Sequence, residues 1–229
     1  MRLNTGNFCH KKSFLCLEYD YFCSMDDKKL EIVSKASAIF MRYGIKSVTM
    51  DDVARELGVS KKTIYQYFKD KNALVTEIIL AKTQQDKGEC NLARNESGNA
   101  IDEMFAVSKM IVSKISSLNP SVFYDLKKYH PKAWEIMHKH RWEFVHKSIL
   151  ENIHRGVEEG LYRKDLNPDI ISRINVSMMD VVFNGNSFPI DEFKYEQVFE
   201  EMFRFQIHGM ANEKGLKYLM LNYNKNSQK

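Results

Sequence analysis

Glycine and proline are scarce in this chain, and they fall where helices would stop or start. The 229 residues hold ten glycines and four prolines. Gly44, Gly58 and Gly160 each follow a stretch whose apolar residues recur every three or four positions. Pro120, Pro131 and Pro168 each precede one. Glycine ends helices because it takes positive φ without a Cβ clash. Proline suits the first helical turn, where its missing N–H would have no partner anyway. No stretch alternates with the two-residue period of a half-buried strand. An all-α chain is the expectation. Apolar residues at 44% and charged residues at 28% leave ample material for a core.

The helical reading begins at Asp26. Ile32, Ala36, Ile39, Phe40 and Tyr43 share one face, and Gly44 closes that helix as a left-handed residue. Thr49 can cap a second helix, with Asp52 three residues on as a near capping box. Val53 and Leu57 point inward from it, and Gly58 breaks it. Ser60 caps a short third helix ending at Phe68. A fourth starts near Asp70 and runs to about position 87 by its apolar spacing. Gly88 to Asn99 is polar and reads as a flexible link. Further helices are expected over 100–118, in a short piece after Pro120, over 131–159 and over 168–185. The last long one should start at Asp191 or Glu192 and reach Asn212. The division is then a head over 25–71, a body over 72–215 and a polar, fraying tail over 216–229.

Residues 1–24 do not share this periodicity. Met25 followed by Asp26, Asp27, Lys28 and Lys29 would open a first helix well. The leader is expected to be disordered or to precede the natural start, the alternative being a genuine N-terminal arm. Cys9, Cys16 and Cys23 sit in it, seven apart, and Cys90 stands alone. That spacing fits neither a zinc knuckle nor a disulfide frame. A reducing, cytoplasmic setting is the default. No apolar run approaches the roughly 18 residues a membrane span needs, and Glu18 and Asp20 spoil the leader as a signal peptide.

The segment Thr49 to Phe68 has the makings of two short helices crossing steeply. Ala54 permits close approach, Gly58 turns the chain, and Val53, Leu57, Val59, Ile64 and Phe68 fill the crease. On the third helix Lys62, Thr63 and Gln66 fall opposite Ile64 and Phe68, with Tyr65 at the edge. A short, polar, basic face of this kind can enter a major groove about 12 Å wide. The helix N-terminus adds free amides suited to phosphate. From Ser60 to Lys71 there are four lysines and one aspartate, net +3 in twelve residues, which places the charge where a DNA target would need it.

Gly44-Ile-Lys-Ser-Val-Thr-Met-Asp-Asp-Val-Ala54 followed by Gly58-Val-Ser-Lys-Lys-Thr-Ile-Tyr-Gln-Tyr-Phe-Lys-Asp-Lys71 resembles the N-terminal domain of TetR-family (tetracycline-repressor-like) regulators. The resemblance is contiguous over about 45 residues by position. It implies a three-helix helix-turn-helix head on an all-helical body for ligand binding and dimerisation. It implies a homodimeric repressor that releases double-stranded, palindromic DNA when a small-molecule effector binds, with the fourth helix transmitting the motion. Thr49 then resembles a helix cap touching phosphate. Ser60, Lys61, Lys62 and Thr63 open the recognition helix, and Tyr65 and Lys71 match phosphate contacts. Gln66 and Tyr67 occupy positions whose base or backbone contacts vary.

The body carries no short motif. The resemblance places a dimer interface on its last two long helices, with Met178, Met179, Val182, Phe183, Phe199, Met202, Phe203 and Phe205 as candidates. Some of these must face the monomer core. His130, Trp134, His138, Trp142 and His146 recur every four residues, which fits a pocket wall, a metal site or plain packing of half-buried rings. Phe105, Met110, Phe123 and Tyr124 are candidates for the same pocket beside Trp134, His138 and Trp142. No metal or cofactor is expected, and no membrane partner. No Gly-x-Ser-x-Gly, phosphate-binding glycine loop or His-Glu-x-x-His occurs, so an enzyme is not expected. A helical interaction module without a DNA role, or a regulator indifferent to ligand or acting as an activator, stays open.

Overall fold

The computed structural model describes residues 26–183, 187–189 and 191–223. The leader expectation therefore lies outside the described residues, as does the side chain of Phe183. The helices are α1 (Asp27–Tyr43), α2 (Met50–Leu57), α3 (Lys61–Tyr67), α4 (Lys71–Glu96), α5 (Ala100–Ile115), α6 (Ser121–Tyr129), α7 (Pro131–His140), α8 (His146–Glu158), α9 (Pro168–Phe183), α10 (Tyr195–Met210) and α11 (Glu213–Asn222). A π-helical turn, Arg141–Val145, joins α7 to α8. Among the described residues there is no strand, only an isolated bridge between Tyr162 and Ala211. No helix among them is long and apolar enough to cross a membrane.

The caps follow the side chains that suit them. Asp26 accepts from the Lys28 amide at 2.7 Å to start α1, and Asp70 accepts from Ala73 at 2.7 Å to start α4. Gly44 ends α1 with φ +86° but ψ 147°, so the chain leaves extended rather than left-handed as expected.

Two cores hold the molecule. The first gathers Ile32, Ala36 and Phe40 of α1, Val53 of α2, Ile64 of α3 and Leu74 and Ile78 of α4, and it continues into Val122, Leu126 and Ala133 of α6 and α7. The second gathers Ile101, Ile153, Tyr162, Phe199, Ile207 and Leu219. The helix-turn-helix is thus sealed from behind by α6 and α7 rather than standing on α4 alone.

Three expectations are corrected. The polar stretch 88–96 is helix, because α4 runs unbroken to Glu96 and only Ser97–Asn99 separate it from α5. Its polar side chains are spent on partners, Arg94 on Glu151 and Gln85 on Glu89 at 2.7 Å, so apolar periodicity fades while the helix persists. The residues after Gly215 also form helix. Asn212 caps α11 by accepting from the Gly215 amide at 3.0 Å, Leu219 is buried, and the Tyr218 hydroxyl donates to Asp102 at 2.8 Å. Finally, the last long helix starts at Tyr195 rather than at Asp191 or Glu192.

A close approach fixes the second core. A Cβ on Gly156 would lie 2.1 Å from Cδ2 of Tyr162. That ring is fully buried, and its hydroxyl donates toward the Ala100 carbonyl and Asn152 Oδ1 at 3.3 and 3.2 Å. Gly156→Ala should therefore cost about 1–3 kcal/mol or somewhat more, the usual range for overpacking. Urea unfolding would show a lower midpoint at unchanged slope; an unchanged midpoint would mean the ring can yield.

Polar groups also tie the head to α6 and α7. The Lys46 amide donates to Asp125 at 2.8 Å, the Asn119 amide to the Met41 carbonyl at 2.6 Å, and His130 Nδ1 meets Asn72 Oδ1 at 2.6 Å. Burial, then the nearby Lys71 charge, holds His130 below its ordinary pKa. Burial does the same to His140. A histidine whose folded pKa is depressed takes up its proton mainly on unfolding. Its contribution is fully present above the unfolded value near 6.5 and is lost as pH falls through that value toward the folded one. The melting temperature should drop between roughly pH 7.5 and 5.5, and His130→Asn should flatten the drop. A profile identical in that variant would remove His130 from the account.

Candidate nucleic-acid interface

The turn between α2 and α3 is built by three local devices. Thr49 and Asp52 form a complete capping box: Thr49 Oγ1 accepts from the Asp52 amide at 3.1 Å, and Asp52 accepts from the Thr49 amide at 2.9 Å. The Thr49 hydroxyl also donates to Asp52 at 2.6 Å. These bonds hold the Asp52 carboxyl below its usual range. Gly58 then takes φ +67°, ψ 29°, the left-handed conformation a side chain would strain. Ser60 caps α3 by accepting from the Thr63 amide at 3.1 Å, and the Ser60 and Thr63 hydroxyls pair at 2.8 Å.

The outer face of α3 is two short ridges. Lys61 and Tyr65 form one, with Lys61 Nζ 6.0 Å from the ring centre. Lys62 and Gln66, both exposed, form the other, four residues apart as helix neighbours must be. Tyr65 is 42% exposed although it is a large aromatic. Lys61 pairs with Asp51 of α2 at 2.7 Å, which raises its pKa and fixes its direction. Two lysines at the start of a helix oppose the helix dipole. For Lys62 no partner in the protein offsets that placement among the described residues, which makes sense if an anion outside the protein does.

The remaining sequence candidates sit differently. Thr49 has its only hydroxyl proton committed to Asp52, so its capping role stands and a phosphate contact from it would require rotation. Tyr67 turns inward and packs against the head core. Lys71 is half-buried, its Nζ 3.4 Å from the Lys46 carbonyl and 5.6 Å from the Phe40 ring centre. Burial lowers its pKa. Sequence spacing missed Lys46, in the α1–α2 loop, which the fold brings beside Lys71 and over the Tyr129 ring at 5.1 Å. Nothing local signals that meeting, since Tyr129 is distant in sequence.

The body holds a cavity of about 240 Å³ between α4, α5, α8, α9 and α10. It is not where the aromatic–histidine ladder suggested. None of Phe105, Met110, Phe123, Tyr124, Trp134, His138 and Trp142 lines it. Trp134 packs on the head core, Tyr124 is 57% exposed, and Phe105 stacks on Tyr223 with centroids 3.7 Å apart. Met110 and Phe123 are half-buried and His138 is exposed. Trp142 lies between His138 and His146, about 6 Å from each by ring centres. The ladder assumes an uninterrupted α-helix, and the π turn at Arg141–Val145 shifts the register, so Val145, Ile149 and Asn152 face the cavity instead. Among the described residues no group of histidine, cysteine and carboxylate side chains could hold a metal.

The interface candidates divide. Val182, Phe199 and Phe203 are buried in the monomer, and Met179, Phe199, Met202 and Phe203 line the cavity. Met178 is half-buried. Phe205, by contrast, is 74% exposed, and Ile170, Ile174 and Val181 of α9 are exposed beside one another in helical register.

Residues 32–78 match the family model described as bacterial regulatory proteins, tetR family. The uncharacterized HTH-type transcriptional regulator YvaF of Bacillus subtilis is 34% identical over 91 residues, which is 38% of this chain and 47% of that protein. A second such regulator of that organism, YhgD, is 39% identical over 74 residues, 32% of this chain and 38% of that protein. The chain thus spans half or less of the curated relatives it matches. A TetR-family transcriptional regulator from Streptomyces coelicolor shares the fold with a TM-score of 0.61 and 21% identity, covering 79% of this chain and 92% of that one. A transcriptional regulator from Cytophaga hutchinsonii does so with a TM-score of 0.65 and 18% identity, over 82% of this chain and 100% of that one. The matched segment holds the whole α2–turn–α3 unit, so the head of this chain matches the TetR-family DNA-binding domain, and the fold is shared well beyond it.

Proposed function

We propose that this chain is a sequence-specific DNA-binding transcriptional regulator, acting as a homodimeric repressor that leaves a palindromic operator when a small molecule fills its body. The observation that carries the reading is the outer face of α3, where Lys61, Lys62, Tyr65 and Gln66 stand exposed at a capped helix N-terminus. Lysines and free amides there suit phosphate, and Gln66 suits an adenine edge. Exposed Ile170, Ile174 and Val181, with Phe205 of α10, support a second copy covering this face. Two heads joined in that way can meet half-sites about 34–36 Å apart. The body cavity supports an effector site.

The test is a fluorescence-anisotropy titration of the full chain against DNA from upstream of its own gene, beside scrambled DNA, at two salt concentrations. Expected are selective binding and a steep loss of affinity with salt. Equal, weak, salt-insensitive binding to every DNA tried would overturn the reading and favour an interaction module.

A further inference from the structure

The body cavity has apolar walls and a small number of uncommitted polar atoms. Met104, Val107, Ile111, Ile149, Met179 and Phe199 make up much of its lining. Ser108 and Asn175 also line it, at 7% and 5% exposure. The Ser108 hydroxyl has no hydrogen-bond partner among the described residues. Asn175 donates through Nδ2 to the Ile171 carbonyl at 2.8 Å, and its Oδ1 receives no donor among them. Neither atom is among the fully enclosed side-chain atoms without a partner, so both open onto the cavity, where a polar group in a mostly apolar wall favours a molecule that brings it a partner. Two in one cavity are what a bound molecule would satisfy.

The charges around the cavity are already matched. Glu103 lines it, and Arg155 Nη1 lies 3.2 Å from that carboxylate. At the exposed mouth Arg94 pairs with Glu151, which also has Lys147 at 3.8 Å. Burial pushes the Cys90 thiol up to about 11, so it stays protonated and neutral. An ion entering here would lose its water without gaining an unspent counter-charge. The volume of about 240 Å³ falls below the roughly 300–1,000 Å³ of sites for drug-sized ligands.

We infer that the cavity binds a small, uncharged, largely apolar molecule, one ring or a short chain, whose single hydroxyl or carbonyl group is hydrogen-bonded by Ser108 and Asn175. This rests on the reading that the body holds an effector site. Ser108 would donate to the ligand oxygen, and Asn175 Oδ1 would accept a hydroxyl proton where there is one. Selectivity then comes from the polar pair, because a ligand without the oxygen leaves both atoms unsatisfied.

Calorimetric titration of the full chain with four matched probes tests it: para-propylphenol, propylbenzene, para-propylbenzoate and para-propylbenzylamine. The phenol should bind about tenfold more tightly than propylbenzene, and both ions more weakly than either. Ser108→Ala should weaken the phenol about fivefold, leave propylbenzene unchanged, and leave the melting temperature of the unliganded protein at or above that of the parent. A serine that only supports packing would lower that temperature and spare the phenol. Tightest binding by either ion, equal binding of phenol and hydrocarbon, or no binding by any of the four overturns the inference. Anisotropy with operator DNA separates the two readings. Selective DNA binding by a protein that takes none of the probes leaves the regulator standing without this ligand class. Phenol binding of the expected selectivity by a chain that ignores DNA upholds the ligand class and sinks the regulator.

Discussion

Lys62→Glu should reduce affinity for operator DNA about a hundredfold at moderate salt, with the plot of log affinity against log salt shallower by about two, because each phosphate contact contributes about 0.9 to that slope and a dimer loses two. The same change should leave the melting temperature equal or slightly raised. Lys62 lies in the first turn of α3, where the helix dipole disfavours a cation and favours a carboxylate, and its exposed side chain has no partner to lose among the described residues. Loss of binding with gain of stability is a combination that misfolding cannot produce. An unchanged salt slope would remove Lys62 from the DNA contact. A lower melting temperature would mean that its side chain supports the head in a way the exposed face does not suggest.

Arg155→Ala should be the most damaging single change in the body. The guanidinium donates to Glu103 at 3.2 Å, to Glu159 at 2.7 Å and to the Ser97 carbonyl at 3.1 Å. Glu159 in turn accepts from the Ala100 amide at 2.8 Å. One side chain therefore joins the end of α4, the start of α5 and the end of α8. Glu103 is only 6% exposed, so its carboxylate would be left buried and unpaired. Breaking a fully buried pair costs about 3–5 kcal/mol. Arg155 keeps 26% of its side-chain surface in water, and that screening sets the expectation at the lower end, about 3 kcal/mol. Adding Glu103→Gln should recover part of the loss by removing the stranded charge. Urea unfolding of the two single variants and the double supplies the coupling energy. Strict additivity would show that the pair does not act as one.

The head was legible because its signals are local. Thr49 and Asp52, Gly58, and Ser60 with Thr63 act within four residues of one another, so caps and turn can be read without knowing what packs behind them. The body was harder because its decisive partners are distant. Asp102 receives the Tyr218 hydroxyl, Asp86 takes Lys114 at 2.6 Å, and Arg94 takes Glu151. Those polar pairs made helical stretches look like loop and tail. The aromatic–histidine ladder does not line the α4–α10 cavity for another reason: its four-residue spacing presumes α geometry, and the π turn at Arg141–Val145 breaks it. The interface candidates are apolar helix positions, but one sequence cannot say which side of a helix meets its own core, and Phe199 and Phe205 went opposite ways.

The unbroken α4 has a geometric consequence. Its 26 residues make a rod about 39 Å long at 1.5 Å per residue. Its far end lies under the Ser97 carbonyl, which Arg155 grips, and its near end carries Lys71 beside α3. If the far end pivots by only about five degrees, the near end sweeps about 3 Å, close to the spacing of one base pair along DNA. A displacement that small at the cavity wall would hardly register as a change of shape, yet it would set a head out of step with its groove by one rung.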